Sequence, residues 1–343
     1  RGRRTIEFGG TEAYGPHVRQ MPAQSPVMEH EMTQRVAVLL PCYNEELTIG
    51  AVVGAFQDAL PEARIFVYDN NSTDDTAGRA ADAGAEIRRE PLQGKGNVIR
   101  RMFADIDADI YVIADGDGTY DATAAPELVR RLIDDRLDMV IGARRESEDD
   151  DGVLYRRGHR MGNAIFNRVV SRLFGVPVGD MLSGYRVFSR RFVKTFPALA
   201  AGFEIETEIT IHALELRMPV VEIPLPYRSR PEGSASKLNT WWDGLRILAT
   251  ILFLYKEVRP FRFFGALFGV LVAISLVLMY PVVVTFLETG LVPRIPTTVL
   301  ATGLMLLGFI MLASGIILDT VSRGRREAKR LRYLSIAAPG PME

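Results

Sequence analysis

The chain has 343 residues, 48% of them hydrophobic and 24% charged, with a net charge of −1. That length suits one large or two small domains with ample material for a core, and the near-neutral balance argues against a dedicated nucleic-acid binder. The single cysteine, Cys42, excludes an intrachain disulfide and a Cys/His zinc cluster; at the end of an apolar strand it reads as a buried structural thiol.

Residues 1–34 are polar, contain Gly and Pro and lack periodicity, so they are expected to form a poorly ordered N-terminal arm without an apolar signal segment. The chain opens on Arg1, so this arm need not be the natural N-terminus. From about 35 to 145, short apolar runs alternate with helical patterns. Strands are expected at 36–40, 65–69, 85–89, 110–114 and 139–142, with helices at 45–59, 73–83, 95–106 and 123–136. Such alternation predicts an α/β fold with a mostly parallel sheet flanked by helices. Helices near 160–174 and 204–217 and a strand at 220–224 follow, completing a catalytic domain over 35–237.

Residues 238–260 carry Trp241, Trp242, Leu245, Leu248, Leu252 and Tyr255 at roughly helical spacing, flanked by Arg246 and Lys256. An amphipathic helix in the membrane interface fits this stripe, and so does a plain core helix. Residues 263–287 then hold 25 positions without a charge, about 37 Å of helix against a hydrocarbon core of about 30 Å. Residues 297–318 add 22 more, about 33 Å by the same rise. A two-helix transmembrane hairpin within 261–320 is therefore expected, followed by a basic cytoplasmic tail over 321–343. Lys256, Arg259 and Arg262 precede the first span, and Arg323, Arg325, Arg326, Lys329, Arg330 and Arg332 follow the second. The positive-inside rule puts the catalytic domain and both termini on the cytoplasmic side of the inner membrane, and the basic cluster would favour anionic lipid.

The chemistry gathers at strand ends. Asp115-Gly116-Asp117 closes the apolar run at 110–114. On a continuing strand both carboxylates would face one side, a donor set suited to Mg²⁺ or Mn²⁺ shared with substrate phosphates. Thr119 and Asp121 could add an oxygen or a water-mediated contact. Pro41-Cys42-Tyr43-Asn44-Glu45-Glu46 leaves the first strand: the Tyr43 ring can stack on a base, and Asn44 and Glu45 can hydrogen-bond it or the ribose. An ordinary capped helix start explains the same residues. Asp69-Asn70-Asn71-Ser72 ends the second strand, where α/β nucleotide binders often contact base or ribose. Lys95 stands between Gly94 and Gly96 at a helix start, suited to phosphate or an acidic edge but unlike a Walker A loop. Arg144 and Arg145 follow the fifth strand, and Arg156, Arg157, His159 and Arg160 open the next helix. They suit a phosphate, or equally a solvated helix end neutralised by the acids of 146–151.

The order Pro-x-Tyr-Asn-Glu, Asp-Asn-Asn-Ser-x-Asp, Gly-Lys-Gly, Asp-x-Asp resembles the family-two glycosyltransferases of GT-A (Rossmann-like) fold. Asp180-Met181-Leu182-Ser183-Gly184-Tyr185-Arg186 and Arg230-Pro231-Glu232-Gly233-Ser234-Ala235-Ser236-Lys237 extend the resemblance to the polyisoprenyl-phosphate glycosyltransferases, which include the dolichol-phosphate mannose synthases. The resemblance implies that Pro41, Tyr43, Asn44, Glu45, Asp69, Asn71, Lys95 and Gly116 line a nucleotide-sugar pocket and that Asp115 and Asp117 hold metal and diphosphate. It also implies catalytic work for Arg144 and Asp180, and acceptor-phosphate contacts from Arg144, Arg157, His159, Arg160, Arg230, Ser234 and Lys237. Thr119 replaces the glutamine usual in mannose synthases, and Asp69-Asn70 the commoner Asp-Asp; both departures point to a UDP-sugar ahead of GDP-mannose.

The expected reaction is inverting transfer of a sugar from a nucleotide diphosphate to polyprenyl phosphate in a bilayer, with no nucleic acid involved and homo-oligomers compatible. The acceptor is a phosphate monoester with second pKa about 6, so positioning and charge neutralisation outweigh a general base. Asp180, Glu204 and Glu206 then orient sugar hydroxyls or arginines. A different glycan or lipid acceptor, or a non-catalytic scaffold that binds nucleotide sugars, are the alternatives. A processive polysaccharide synthase is disfavoured because Gln-x-x-Arg-Trp is missing, and a sugar nucleotidyltransferase because the first strand is not followed by a basic Gly-rich loop.

Overall fold

The computed structural model describes residues 34–145, 179–226 and 255–340, with positions 249, 252 and 253. The predicted arm, the helix expected at 160–174, Arg156, Arg157, His159, Arg160, Arg230, Ser234 and Lys237 lie outside the described residues, as do Trp241, Trp242, Leu245 and Leu248 of the apolar stripe.

Chain order runs β1 (Val36–Cys42), α1 (Ile49–Ala59), β2 (Arg64–Asp69), α2 (Thr76–Asp82), β3 (Glu86–Arg89), α3 (Lys95–Asp105) and β4 (Ile110–Ile113). It continues through α4 (Ala125–Asp134), β5 (Met139–Arg145), β6 (Arg186–Ser189), α5 (Arg190–Thr195), α6 (Ile205–Leu216) and β7 (Val220–Pro226). The strands form a seven-stranded sheet in the order β3-β2-β1-β4-β6-β5-β7. Only β6 runs antiparallel, between β4 and β5. The parallel β/α units predicted from the alternation are therefore present. What the pattern missed is the pair β6 and α5, whose four and six residues are too short to register a period.

Alternation along each strand divides the core between the two sheet faces. Leu39, Tyr111 and Ile113 face α3, α5 and α6 with Met102, Phe192, Phe188 and Ile209. Val38, Leu40 and Val112 face α1 and α4 with Phe56, Leu128 and Tyr185. Cys42 is buried on this second face, as expected for a structural thiol.

Two long helices end the described chain, α7 (Pro260–Thr289) and α8 (Ile295–Leu334). Their most apolar windows have mean hydropathies of 2.6 and 2.2, with 11% and 17% of those residues buried. Both are long and apolar enough to cross a membrane. Ala301, Gly308, Gly315 and Ser322, seven residues apart, are buried positions of α8, and the first three face α7. A seven-residue small-side-chain seam lets two helices approach closely with a left-handed crossing. At Gly315 an added Cβ would lie 2.9 Å from Phe264 Cβ, and the Ser275 hydroxyl donates to the Ala301 carbonyl at 2.8 Å.

The second helix does not stop where its apolar stretch does. It continues through the basic segment, and some of its cations meet the catalytic domain. Lys329 pairs with Glu215 at 2.9 Å, and Arg330 donates to the Leu216 carbonyl at 2.6 Å. Tyr333, 7% exposed, joins the core beside α5 and α6. Its hydroxyl donates to Asp138 Oδ2 at 2.8 Å. Asp138 has a fully buried side chain at the foot of β5 and also accepts from Ser189 Oγ at 2.7 Å and from the Arg191 guanidinium. The same guanidinium lies 4.6 Å from the centre of the Tyr333 ring. Periodicity alone could not place Tyr333, because its partner is a single buried carboxylate 195 residues away.

Two outcomes follow. Tyr333→Phe removes a donor from a buried carboxylate and should lower unfolding stability by about 1–3 kcal/mol, read as a reduced midpoint in detergent. His212 on α6 is buried between Phe192 and Phe196 near Lys329. Burial, then the Lys329 charge, lowers its pKa from 6.5 to about 3. Between those values the unfolded chain binds a proton that the native state refuses, so stability should fall as pH drops from 6.5 towards 3. His212→Phe should flatten that slope in thermal melts recorded across the window.

Candidate active site

β1, β2 and β4 lie side by side and parallel, so their carboxyl ends share one edge of the sheet. β4 ends at Ile113, leaving Asp115-Gly116-Asp117 in the turn beyond it. The two carboxylates consequently do not follow strand alternation. Asp115 Oδ1 accepts from Lys95 Nζ at 2.5 Å. Asp117, 2% exposed, accepts through Oδ1 from the Thr119 hydroxyl at 2.6 Å and from its N–H at 3.2 Å. Thr119 therefore braces a carboxylate, while Asp121 Oδ1 caps Thr123 at 3.1 Å.

Close approach dictates the glycines around this turn. A Cβ on Gly116 would stand 2.5 Å from Cys42 Sγ, and one on Gly184 would stand 2.6 Å from Asp115 Oδ2. Thr48 Oγ1 donates to the Gly116 carbonyl at 2.7 Å, tying the turn to the start of α1.

Lys95 begins α3 and is held by its neighbours. Gly94 adopts φ +127°, and a Cβ on Gly94 or Gly96 would meet the Ala201 or Ala200 carbonyl oxygen at 2.3 or 2.2 Å. The 197–204 loop is fixed in turn by Glu208, which accepts from the Leu199 and Ala200 N–H groups at 3.0 and 2.8 Å. The Lys95 ammonium, with only 10% of its side chain exposed, also lies 2.7 Å from Glu206 Oε1 in the first turn of α6. Burial alone would lower its pKa, but the Asp115 and Glu206 carboxylates outweigh burial and hold it raised. The Gly-Lys-Gly motif was legible in the sequence. Its partner Glu206, 111 positions away, was readable only as an acid that orients something.

The first two strand ends are linked to each other. Asn44 and Asn71 both adopt left-handed backbone (φ 53° and 64°), which asparagine tolerates better than most residues. Asn44 N–H donates to Ser72 Oγ at 3.0 Å and its Oδ1 accepts from Thr73 N–H at 2.8 Å. Asn71 Nδ2 reaches the Pro91 carbonyl at 2.8 Å, and Asn70 spans Glu90, Leu92 and Gly94. Asp69, 5% exposed, accepts from Ser72 N–H. The Asn44 and Asn71 side chains thus join loops, while Pro41, Tyr43 and Glu45 are half-buried at the same edge.

Farther along, Arg144 donates to both Asp180 oxygens at 2.8 Å, and its N–H donates to Asp180 Oδ2 at 3.1 Å. Burial pushes the Asp180 carboxyl up, yet the Arg144 hydrogen bonds leave it below the ordinary value. Arg186, buried in β6, gathers the Ser183 and Met181 carbonyls and Thr210 Oγ1. The site residues thus fall into an Asp115–Lys95–Glu206 cluster beside Asp117, and an Arg144–Asp180 pair.

Among the described residues no three His, Cys, Asp or Glu side chains converge as a ready cation cage. The two turn carboxylates offer hard oxygen donors, and a glycine faces Asp115. That donor set fits Mg²⁺ or Mn²⁺ completed by substrate phosphates, provided Lys95 yields Asp115.

The profile of glycosyl transferase family 2 matches residues 37–196. Glycosyltransferase AglJ of Haloferax volcanii is 32% identical over 301 residues, 87% of this chain and 98% of that protein. Polyprenol monophosphomannose synthase of Mycolicibacterium smegmatis is 27% identical, across 60% of this chain and 82% of the other. Among solved structures, glucosyl-3-phosphoglycerate synthase of Mycobacterium tuberculosis superposes with a TM-score of 0.52 at 24% identity, covering 64% of this chain and 80% of that one. The same enzyme has been crystallised with Mn²⁺ and UDP. At that identity the likeness speaks for the fold, the mostly parallel, helix-flanked GT-A sheet expected from the motifs. With AglJ aligned over nearly its whole length, the chain belongs to glycosyl transferase family 2 and is a glycosyltransferase.

Proposed function

We propose that this glycosyltransferase is membrane-bound and metal-dependent, and that it moves a sugar with inversion from a nucleotide diphosphate, a UDP-sugar ahead of GDP-mannose, to polyprenyl phosphate. The observation that carries this reading is one chain holding an acidic turn and a buried lysine at the carboxyl edge of its sheet together with an apolar helix pair whose basic extension packs onto the catalytic domain. The relative named polyprenol monophosphomannose synthase supports the acceptor class.

Two helices with such apolar, uncovered surfaces are costly in water and suited to lipid. The cations flanking them put the catalytic domain on the cytoplasmic side. Arg326, beside Glu215 of α6, stands eight residues past Leu318, about 12 Å along the helix. That spacing holds the domain close to the membrane surface, within reach of a lipid headgroup.

In this reading Asp115 and Asp117 would hold the Mg²⁺ or Mn²⁺, which when bound neutralises charge on the departing diphosphate. Pro41, Tyr43, Glu45 and Asp69 contact the nucleoside, and Lys95 the diphosphate. Arg144, pinned by Asp180, orients the acceptor phosphate, with Arg157, His159, Arg160, Arg230, Ser234 and Lys237 closing around the two anions. The acceptor is largely ionised at neutral pH, so no side chain has to remove a proton. Asp180, whose carboxylate is already committed to Arg144, acts as a positioning residue.

The test is a donor screen on purified protein in detergent with Mg²⁺ or Mn²⁺, a short polyprenyl phosphate and UDP- and GDP-sugars. One metal-dependent glycosyl phospholipid, lost in Asp117→Asn, is the expected result. Nucleotide binding with no lipid product from any donor would overturn the acceptor assignment. Asp180→Asn should raise KM for polyprenyl phosphate about tenfold, the worth of one charge-assisted contact, and leave UDP affinity unchanged. Abolished turnover with intact affinities for both substrates would instead make Asp180 a base.

A further inference from the structure

The site carries a cation of its own. Lys95 Nζ lies 2.5 Å from Asp115 Oδ1 and 2.7 Å from Glu206 Oε1, where its charge compensates two acids that would otherwise repel each other. A divalent ion seeking Asp115 must displace that ammonium. On its other side Asp115 Oδ2 rests against Gly184, with no room there even for a Cβ.

Lys95 has little choice of direction. Its backbone is fixed between Gly94 and Gly96, each in close contact with a carbonyl of the 200–201 segment, so only the four-carbon stem can swing. Glu206 is the fixed end of that swing. It is 5% exposed at the start of α6. Its Oε2 is buried without a hydrogen-bond partner among the described residues, which leaves it free to keep hold of the ammonium as it turns. A nucleoside diphosphate would offer Lys95 new anionic oxygens at the moment its metal claims Asp115.

We propose that Lys95 is an exchangeable counter-ion: it keeps a divalent cation off Asp115 until a nucleoside diphosphate is present, with Glu206 as its pivot, so that metal and donor bind cooperatively. This rests on the metal-dependent reading of the site. Glu206 is a positioning residue in this scheme. The cooperativity has two sources, direct chelation of the metal by the diphosphate and the change of partner by Lys95, and only the second depends on the lysine.

The experiment is a binding cycle on the full-length protein in detergent, without acceptor or turnover. Mn²⁺ affinity is measured alone and with saturating UDP or GDP, for the wild type, Lys95→Met and Glu206→Gln. In wild type the nucleotide should tighten Mn²⁺ binding. In Lys95→Met, Mn²⁺ alone should bind more tightly, and the factor by which nucleotide improves it should shrink about tenfold, within the usual range of coupling between sites. A lysine acting only through its field would change both affinities and leave that factor intact, which would overturn the proposal while the metal reading stands. Glu206→Gln keeps the side-chain volume and guards against a misfolded Lys95 variant. It leaves Lys95 wholly on Asp115, so Mn²⁺ alone should bind more weakly than in wild type; unchanged binding would overturn the pivot. Mn²⁺ binding that is undetectable in every variant, with or without nucleotide, would remove the metal reading and this inference with it.

Discussion

A buried charge must find an opposite charge or stay unionised, and the catalytic domain is organised around that demand on Lys95. Its ammonium joins the turn after β4, the start of α3 and the start of α6, three segments that no stretch of local sequence connects. To bring the ammonium there, α3 must begin against the 197–204 loop so closely that both residues flanking Lys95 lack side chains. Glu208 then fixes the loop by its N–H groups. Removing either acid would leave a largely buried cation half-compensated, so the geometry of the site and the packing of the second half of the domain are one constraint.

A second buried charge performs the same service at the opposite end of the sheet. Asp138, at the foot of β5, collects Ser189, Arg191 and Tyr333. These come from the end of β6, from α5 and from the last turn of α8. The long helix is thereby fixed to the catalytic core by a polar contact and an aromatic ring at once. Two of its cations satisfy the end of α6, where Lys329 meets Glu215 and Arg330 donates to the Leu216 carbonyl, the favourable charge for a helix C-terminus. Since α6 carries Glu206 in its first turn and Glu215 in its last, a single helix runs between the Lys95 cluster and the basic end of α8.

What the sequence made legible was what local pattern encodes: the β/α alternation, the two uncharged spans and the motifs at strand ends. These are properties of neighbours in the chain. β6, α5 and the continuation of α8 were not legible for a common reason, since each is stabilised by long-range partners and is either too short or too polar to carry a period. The asparagines show the limit at residue scale. Asn44 and Asn71 stand where nucleotide ligands are expected, and their side chains also bridge the loops after β1, β2 and β3. A polar residue at a strand end advertises hydrogen bonding without saying whether the partner is a ligand or the next loop.

Thr119 carries the same lesson in the other direction. By comparison with mannose synthases it is a departure from the expected glutamine, and on sequence grounds it bears on donor choice. In the fold its hydroxyl and N–H both hold Asp117 Oδ1, a local motif that short hydroxyl side chains form readily and a glutamine, with a longer reach, does not. The carboxylate is thus held within its own turn, beside a neighbour, Asp115, that is held across the sheet by Lys95. Two acids two positions apart differ in what holds them: Thr119 of the same turn braces Asp117, and Lys95 reaches Asp115 from the start of α3. The Lys95 restraint on Asp115 is a charge that another cation could replace, and the proposed exchange of ions would begin there.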